Sequence, residues 1–540
     1  MRSRVLVLGL DGADWSVLRP LCEAGRLPNL ARWLDAGRAA PLPSVTPPMS
    51  FPAWASFATG LLPGAHGLFD FTQKIEGAYR IRFVNASDRA GEPFWMRATR
   101  AGLPVLVLGV PATHPADPVA GLLVPGFDAP VSTGSDASFA SDPALYAKVA
   151  ARAGAWMRPD LDEGARGDGW HERAIDRLLA RIDRKCGFAI EALRQLREDA
   201  REPALGVVVF SESDTVAHHY WRDHDAASPR HDPNASAARK GALVAVYERL
   251  DAACGALRAA FGDDAACFVV SDHGQGGASR RVVHLNRHLA DCGLLARRGA
   301  GAIDLVARRA RDLALRVLPP AAAQAIFRRA RGSAARLESG ARFGGIEWRR
   351  TDAFAEEVNT QPGVWINEAG REAQGRVARL DRARVQRDVI DALLDWKLED
   401  GRPVVEWALP REEVYAGPFV ARAPDVVFEL ALEDGYAHSL VATPWERADL
   451  ASLRTLDPGE WAGGRGRGMN GTHRRDGIWL DAAGHADRPA GIADVAAAVL
   501  RALVLEETPA AGERSRASLP YSAEEEARVA ERLRALGYLE

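Results

Sequence analysis

Three aspartates, three histidines and a serine stand where a metal ion or a phosphate would be held. They are Asp11 in Gly-Leu-Asp-Gly, Ser50 in Met-Ser-Phe-Pro, Asp214 and His218 in Asp-Thr-Val-Ala-His, Asp272 and His273 in Ser-Asp-His-Gly, and His473 in Gly-Thr-His. Carboxylates, imidazoles and a hydroxyl in this number make up a two-metal hydrolytic site. Asp214 and His218 are four apart, which on a helix puts both side chains on one face, within reach of one ion; His219, one residue on, cannot share that geometry. Asp272 and His273 are followed by Gly274, whose freedom permits a tight turn aiming both side chains into one site. Each stretch also has an ordinary structural use: Asp11-Gly12 as a turn, Asp214 and His218 as a surface pair, His473 as a loop histidine. The joint occurrence, with three of the stretches directly after apolar runs, points to a site.

The segment from Leu42 to Gly60 is the least ordinary: Leu-Pro-Ser-Val-Thr-Pro-Pro-Met-Ser-Phe-Pro-Ala-Trp-Ala-Ser-Phe-Ala-Thr-Gly, followed by Pro63-Gly-Ala-His-Gly67. A helix is expected to start at Pro52, which places Ser50 at its N-terminus. Backbone N–H groups and the helix dipole there favour a phosphate and lower the hydroxyl's pKa. The structural alternative is an N-cap serine.

The elements that position these residues follow from hydrophobic pattern. Val5–Leu10, Val105–Val110, Gly206–Phe210 and Cys267–Val270 are continuous apolar runs with β-branched residues, as strands buried on both faces read. Helical patterns lie between them, at Trp15–Gly37 with a break over Gly25–Pro28 and at Ala235–Phe261. Alternation of this kind predicts an α/β fold with a mostly parallel central sheet covered by helices on both faces. Ligands bind such sheets outside the carboxyl ends of the strands, where Asp11, Asp214 and Asp272 fall. The chain divides into a core over 1–296, a basic helical insertion over 297–345, a smaller subdomain returning to the core over 346–505, and a linker with a C-terminal helix over 506–540. In the subdomain, Val364–Asn367, Pro403–Trp407 and Asp425–Leu430 read as strands. The insertion, with apolar residues at amphipathic spacing and Pro319-Pro320 at its middle, is expected to be a lid or a partner surface.

At 540 residues the chain can bury a large core. A net charge of −3 gives no support to nucleic acid as a partner. Cys22, Cys186, Cys254, Cys267 and Cys292 are odd in number and lack CxxC pairs, which argues against a disulfide framework or a thiolate zinc site and for a reduced compartment. No stretch reaches the roughly 20 apolar residues needed to cross a bilayer. The expectation is a cytoplasmic protein.

These motifs resemble the alkaline phosphatase superfamily, and within it the type I phosphodiesterase and nucleotide pyrophosphatase family in its bacterial and archaeal cytoplasmic form. The resemblance runs from Val5 to Leu480 and rests on Thr46-Pro-Pro-Met-Ser-Phe-Pro-Ala-Trp54, Thr59-Gly-Leu-Leu-Pro-Gly-Ala-His-Gly67, Ser271-Asp-His-Gly274 and Gly471-Thr-His473. Leu285-Asn-Arg-His-Leu289 and Arg411-Glu-Glu-Val-Tyr-Ala-Gly417 add to it. It implies one metal on Asp214, His218 and His473 and a second on Asp11, Asp272 and His273, with Ser50 bridging to the second as nucleophile, where the family usually has threonine. The cofactors implied are two divalent ions, zinc by its N/O ligand set, with manganese an alternative. The activity implied is hydrolysis of a phosphodiester or phosphomonoester through a phosphoseryl intermediate, on a small phosphorylated substrate.

One departure concerns Phe71, which stands in Leu68-Phe-Asp-Phe71 where nucleotide pyrophosphatases of the family carry an asparagine that holds a phosphoryl oxygen. This leaves Asp70, Phe71 and Arg474 as candidates for contact with substrate and puts nucleotide specificity in question. The sulfatase pattern Cys/Ser-x-Pro-x-Arg is absent, since Ser50-Phe-Pro-Ala-Trp54 has no arginine. Two further readings are phosphoryl transfer to another hydroxyl, as in metal-dependent phosphomutases, and a catalytically silent binding protein on the same fold.

Overall fold

The structure is a computed structural model that describes residues 4–129, 137–156, 169–298, 339–340, 342–357, 362–445, 447, 450–461, 469–484, 486–505 and 520–535. Its centre is a seven-stranded sheet in the order Arg38–Pro43, Asp476–Asp481, Ala266–Val270, Val5–Leu10, Leu205–Phe210, Val105–Leu108, Gly121–Val124. From Ala266–Val270 to Gly121–Val124 all neighbours are parallel; Asp476–Asp481 is antiparallel to both of its neighbours. The expected α/β fold with a mostly parallel sheet is therefore the fold found.

The strands read as continuous apolar runs because both of their faces are buried. Leu6, Leu8, Leu10, Val208, Phe210, Cys267 and Val269 pack into one core; Val5, Val7, Val207, Val209, Phe268 and Val270 pack into the other. Successive side chains alternate between faces, so neither face can tolerate a polar residue. Each such side chain contributes about 1.5–3 kcal/mol by leaving water. The first core is closed by helices Trp15–Glu23, Pro28–Ala36, Trp170–Glu198 and Ala242–Phe261, the second by Ser50–Thr59, Phe94–Arg100 and Asp494–Ala502. The break expected over Gly25–Pro28 separates the first two helices, where Gly25 has φ of 70° and Pro28 occupies the first turn of the next.

Three neighbouring parallel strands, Ala266–Val270, Val5–Leu10 and Leu205–Phe210, end side by side, which gathers Asp272, Asp11 and Asp214. Antiparallel Asp476–Asp481 begins at that same end, and residues 471–474 just before it deliver His473. A second sheet, Gly274–Val283 with Tyr436–Leu440, Leu453–Thr455 and Gly471–Arg474 along it, grows directly from the Asp272-His273 corner. Gly274 thus opens a strand instead of forming the tight turn expected of it. A Cβ there would lie 2.4 Å from the Asp476 carbonyl oxygen and 2.5 Å from Asp14 Oδ2, so close approach of backbone is what requires glycine.

A third, antiparallel sheet runs Ala353–Phe354, Gly363–Ile366, Val426–Leu430, Val405–Pro410, backed by helix Arg382–Leu394. Residues 299–338 and 341 of the basic insertion, and 506–519 of the linker, lie outside the described residues. Helix Ala523–Ala535 packs Val529, Ala530 and Leu533 against Phe51, Phe71 and Phe127, and buried Arg532 donates to the carbonyl oxygens of Phe127 and Ala129.

Candidate active site

Ser50 is the first residue of helix Ser50–Thr59 and is fully buried. The helix starts two residues earlier than its sequence suggests. Pro52 is accommodated in the first turn because the first intrahelical bond is made by the next residue, Ala53 N–H to the Met49 carbonyl oxygen. Ser50 Oγ donates toward Asp11 Oδ1 at 3.3 Å and lies 3.4 Å from His273 Nε2. One turn further on, Trp54 Nε1–H donates to Asp11 Oδ2 at 3.1 Å. Both oxygens of Asp11 are therefore directed by a single helix.

Asp214 and His218 lie on helix Glu212–His224, as their spacing suggests, with His218 Nε2 3.1 Å from Asp214 Oδ1. The start of this helix is fixed by Glu212, buried between Arg181 and Lys185 at 3.0 and 2.9 Å. His473 brings its Nε2 to 3.4 Å from the same Asp214 oxygen and 3.0 Å from His218 Nε2. His219 turns away toward Trp170.

The hydrogen-bond pattern fixes what these rings present. His218 Nδ1 faces the Gly471 carbonyl oxygen at 2.8 Å, His473 Nδ1 faces that of Pro48 at 2.9 Å, and His273 Nδ1 faces that of Gly274 at 3.0 Å. A carbonyl oxygen only accepts, so each Nδ1 carries the hydrogen and each Nε2 offers a lone pair. Around Asp214, two lone pairs and a carboxylate oxygen then face one another, an arrangement that requires a proton or a cation between them. His273 Nε2 likewise faces Asp272 Oδ2 at 3.4 Å and Asp11 Oδ1 at 3.6 Å.

Electrostatics tell the same story. Burial, then the negative charges of Asp272 and Asp214, push Asp11 well above the usual carboxylate range, and burial with Asp214 pushes Asp272 up to about 8. Asp214 goes the other way: burial alone would raise it, but His218 and His473 hold it well below its ordinary value. Burial lowers His273 and His473, while Asp214 outweighs burial and raises His218. A carboxylate-rich pocket with imidazole nitrogens on its rim fits divalent cations, which would relieve the repulsion among Asp11, Asp214 and Asp272. Two triads place one donor atom each within 4.8 Å of one another, Asp214 with His218 and His473, and Asp11 with Asp214 and His273. Asp272 stands beside the second, holding the Gly12 N–H on Oδ1 at 3.1 Å.

Asp70, Phe71 and Arg474 do not join this cluster in the same way. Asp70 is buried, with Oδ1 accepting the Phe71 N–H at 2.6 Å. The Phe71 ring packs 4.3 Å from that of Phe51 and so supports the residue next to Ser50. Arg474 donates to the Gly277 and Gly435 carbonyl oxygens at 3.0 Å each and to Thr472 Oγ1 at 2.8 Å, tying strands together. Residues that sequence reasoning missed are Trp54 and Gln275, whose Nε2 donates to Asp214 Oδ1 at 2.5 Å. Trp54 was open to detection from its position one helical turn after Ser50; Gln275 carries no sequence signal.

A mostly parallel sheet covered on both faces, with carboxylates and imidazoles gathered at its strand ends, defines an α/β protein with its site where such sheets bind ligands. The family model for type I phosphodiesterases and nucleotide pyrophosphatases matches residues 5–440, and the chain belongs to that family of phosphate-ester hydrolases. The match ends before His473, which the fold alone brings to Asp214. Comparison with curated proteins finds no match. Among solved structures, phosphonoacetate hydrolase of Sinorhizobium meliloti 1021 in complex with phosphonoacetate is similar with a TM-score of 0.48 and 14% identity, over 93% of this chain and 95% of its own. Murine ectonucleotide pyrophosphatase/phosphodiesterase 5, in inactive form with AMP, gives 0.44 and 13%, over 95% of this chain and 97% of its own.

Proposed function

We propose that this enzyme hydrolyses a phosphodiester or phosphomonoester with two divalent cations, through a phosphoryl group carried transiently on Ser50. One cation is assigned to Asp214, His218 and His473, the other to Asp11, Asp272 and His273 with Ser50 beside them. Zinc suits the N/O donor set, and manganese is the alternative. The observation that carries this reading is the convergence of the His218 and His473 lone pairs on Asp214 Oδ1, next to a buried serine at a helix N-terminus.

When bound, the two cations neutralise the phosphoryl oxygens and favour the alkoxide form of the serine. Ser50 Oγ attacks phosphorus as the bond to the leaving oxygen breaks, and its proton has Asp11 Oδ1 and His273 Nε2 within reach. Amides of the first helical turn orient the phosphoryl oxygens. Water then attacks phosphorus from the opposite side, which breaks the Ser50 O–P bond and returns the serine hydroxyl.

The substrate is proposed to be a small phosphorylated molecule and not specifically a nucleotide, because Phe71 is committed to packing on Phe51 and offers no amide to a phosphate. A cytoplasmic location is proposed from the five free thiols; no helix of the described residues is long and apolar enough to cross a membrane. The four-part division, with the insertion over 297–345 as a lid or a partner surface, is likewise a proposal. The test is metal content together with turnover of aryl phosphate monoesters and diesters by wild type and Ser50→Ala. Full activity of Ser50→Ala would overturn the nucleophile assignment, and a phosphorylated product from an added alcohol would favour transfer over hydrolysis.

A further inference from the structure

Gln275 is 2% exposed and lies directly across from His473 in the pairing of Gly274–Val283 with Gly471–Arg474. Cross-strand partners point to the same side, and both reach Asp214 Oδ1, Gln275 through Nε2 at 2.5 Å and His473 through Nε2 at 3.4 Å. The orientation of the amide is forced by chemistry, since turning it over would set Oε1 against a carboxylate oxygen at hydrogen-bond distance. The backbone of Gln275 is also held, its N–H donating to Asp14 Oδ2 at 3.0 Å. Gly12 leaves room for the amide, because a Cβ there would lie 3.0 Å from both Gln275 Nε2 and Asp214 Oδ1.

Gln275 Oε1 is buried and has no hydrogen-bond partner among the described residues. An unmade buried hydrogen bond is costly. An acceptor left over beside Asp214 is suited to an O–H that the folded chain does not itself provide, from water or from a hydroxyl of the substrate.

We infer that Gln275 is a positioning residue of the metal site formed by Asp214, His218 and His473: its amide holds one lone pair of Asp214 Oδ1 so that the other faces the two imidazoles. The inference rests on the two-metal reading above. Outer-shell hydrogen bonds of this kind contribute about 10- to 100-fold in metal affinity.

The test compares wild type with Gln275→Met, which keeps length and loses the amide, and with Gln275→Glu, which keeps an oxygen but no donor. Zinc dissociation constants for each equivalent are measured by competition with a chelator, and melting temperatures are measured on metal-free protein. Gln275→Met is expected to weaken one equivalent by about 10- to 100-fold, to leave the other unchanged and to lower the metal-free melting temperature, because Asp214 loses a buried donor; Gln275→Glu is expected to lower that temperature further by setting a second carboxylate against Asp214. Wild-type constants for both equivalents in Gln275→Met would overturn the inference, as would equal weakening of both. Wild-type protein that takes up no zinc or manganese would overturn the two-metal reading itself, a distinct result.

Discussion

His218 and His473, 255 residues apart in the chain, point their Nε2 atoms at one another across 3.0 Å. With each Nδ1 committed to a carbonyl oxygen, two lone pairs face each other, and only a positive charge between them makes the arrangement stable. Burial would lower His218, but Asp214 outweighs it and raises the basicity of this ring above its ordinary value.

Removal of divalent ions with a chelator is therefore expected to abolish ester turnover and lower the melting temperature, with recovery of both on adding zinc or manganese. Ion at a hundredfold excess over its dissociation constant stabilises the fold by about 2.7 kcal/mol. Calorimetry with and without chelator checks this; an unchanged melting temperature would argue that no ion binds there.

Ser50→Ala is expected to lower kcat for an aryl phosphate by at least about 10³-fold while metal content stays at the wild-type value. Ser50→Thr retains a hydroxyl at the same helix position and is expected to keep most of the activity. Rapid-quench trapping of phosphorylated protein distinguishes a covalent intermediate from direct attack by water.

Trp54→Phe removes the indole N–H on Asp11 Oδ2 and leaves a smaller ring in a fully buried site. Leaving a buried carboxylate oxygen short of a donor costs about 1–3 kcal/mol. Urea denaturation of the metal-free protein reads this cost, and equal stability of the two proteins would show that Asp11 finds another partner.

Glu357 gives a pH signature away from the site. Burial pushes it up to about 7, although Asn286 N–H, Thr443 N–H and the Thr443 hydroxyl all donate to it. A folded-state value above the ordinary 4.5 stabilises the fold below about 4.5, and the contribution is lost as pH rises through about 7. The stability of wild type relative to Glu357→Gln is thus expected to fall from pH 5 to pH 8. A difference that stayed flat across that range would count against this assignment.

Leu533, buried in the C-terminal helix against the cluster of Phe51, Phe71 and Phe127, is expected to cost about 2–5 kcal/mol when replaced by alanine. A thermal melt reads this directly, and a change below 1 °C would show that the helix contributes nothing to the fold.

The parts of the fold legible in the sequence are those under the strictest physical demand. Strands buried on both faces must be apolar at every position, so Val5–Leu10 is bounded in the sequence where it is bounded in space. Asp214 and His218 were legible because a helix fixes their spacing. Gly274–Val283 was not, since Gly-Gln-Gly-Gly-Ala-Ser-Arg-Arg reads as a loop. Its glycines answer to neighbours from remote segments: a Cβ on Gly276 would meet the Arg474 guanidinium at 2.5 Å, and one on Gly277 would meet Tyr436 at 2.7 Å. Gln275 escaped notice for the same reason, because its partner Asp214 comes from another element.

The position of Asp476–Asp481 has a consequence for how the protein is made. This strand lies between Arg38–Pro43 and Ala266–Val270, so during synthesis that edge of Ala266–Val270 stays unpaired until Asp476–Asp481 emerges from the ribosome. An unpaired apolar edge is a template for the wrong partner. The nascent chain therefore carries this edge unshielded from the time Ala266–Val270 emerges until Asp476–Asp481 follows, and it acquires the His473 side of its pocket in the same late step that closes the sheet.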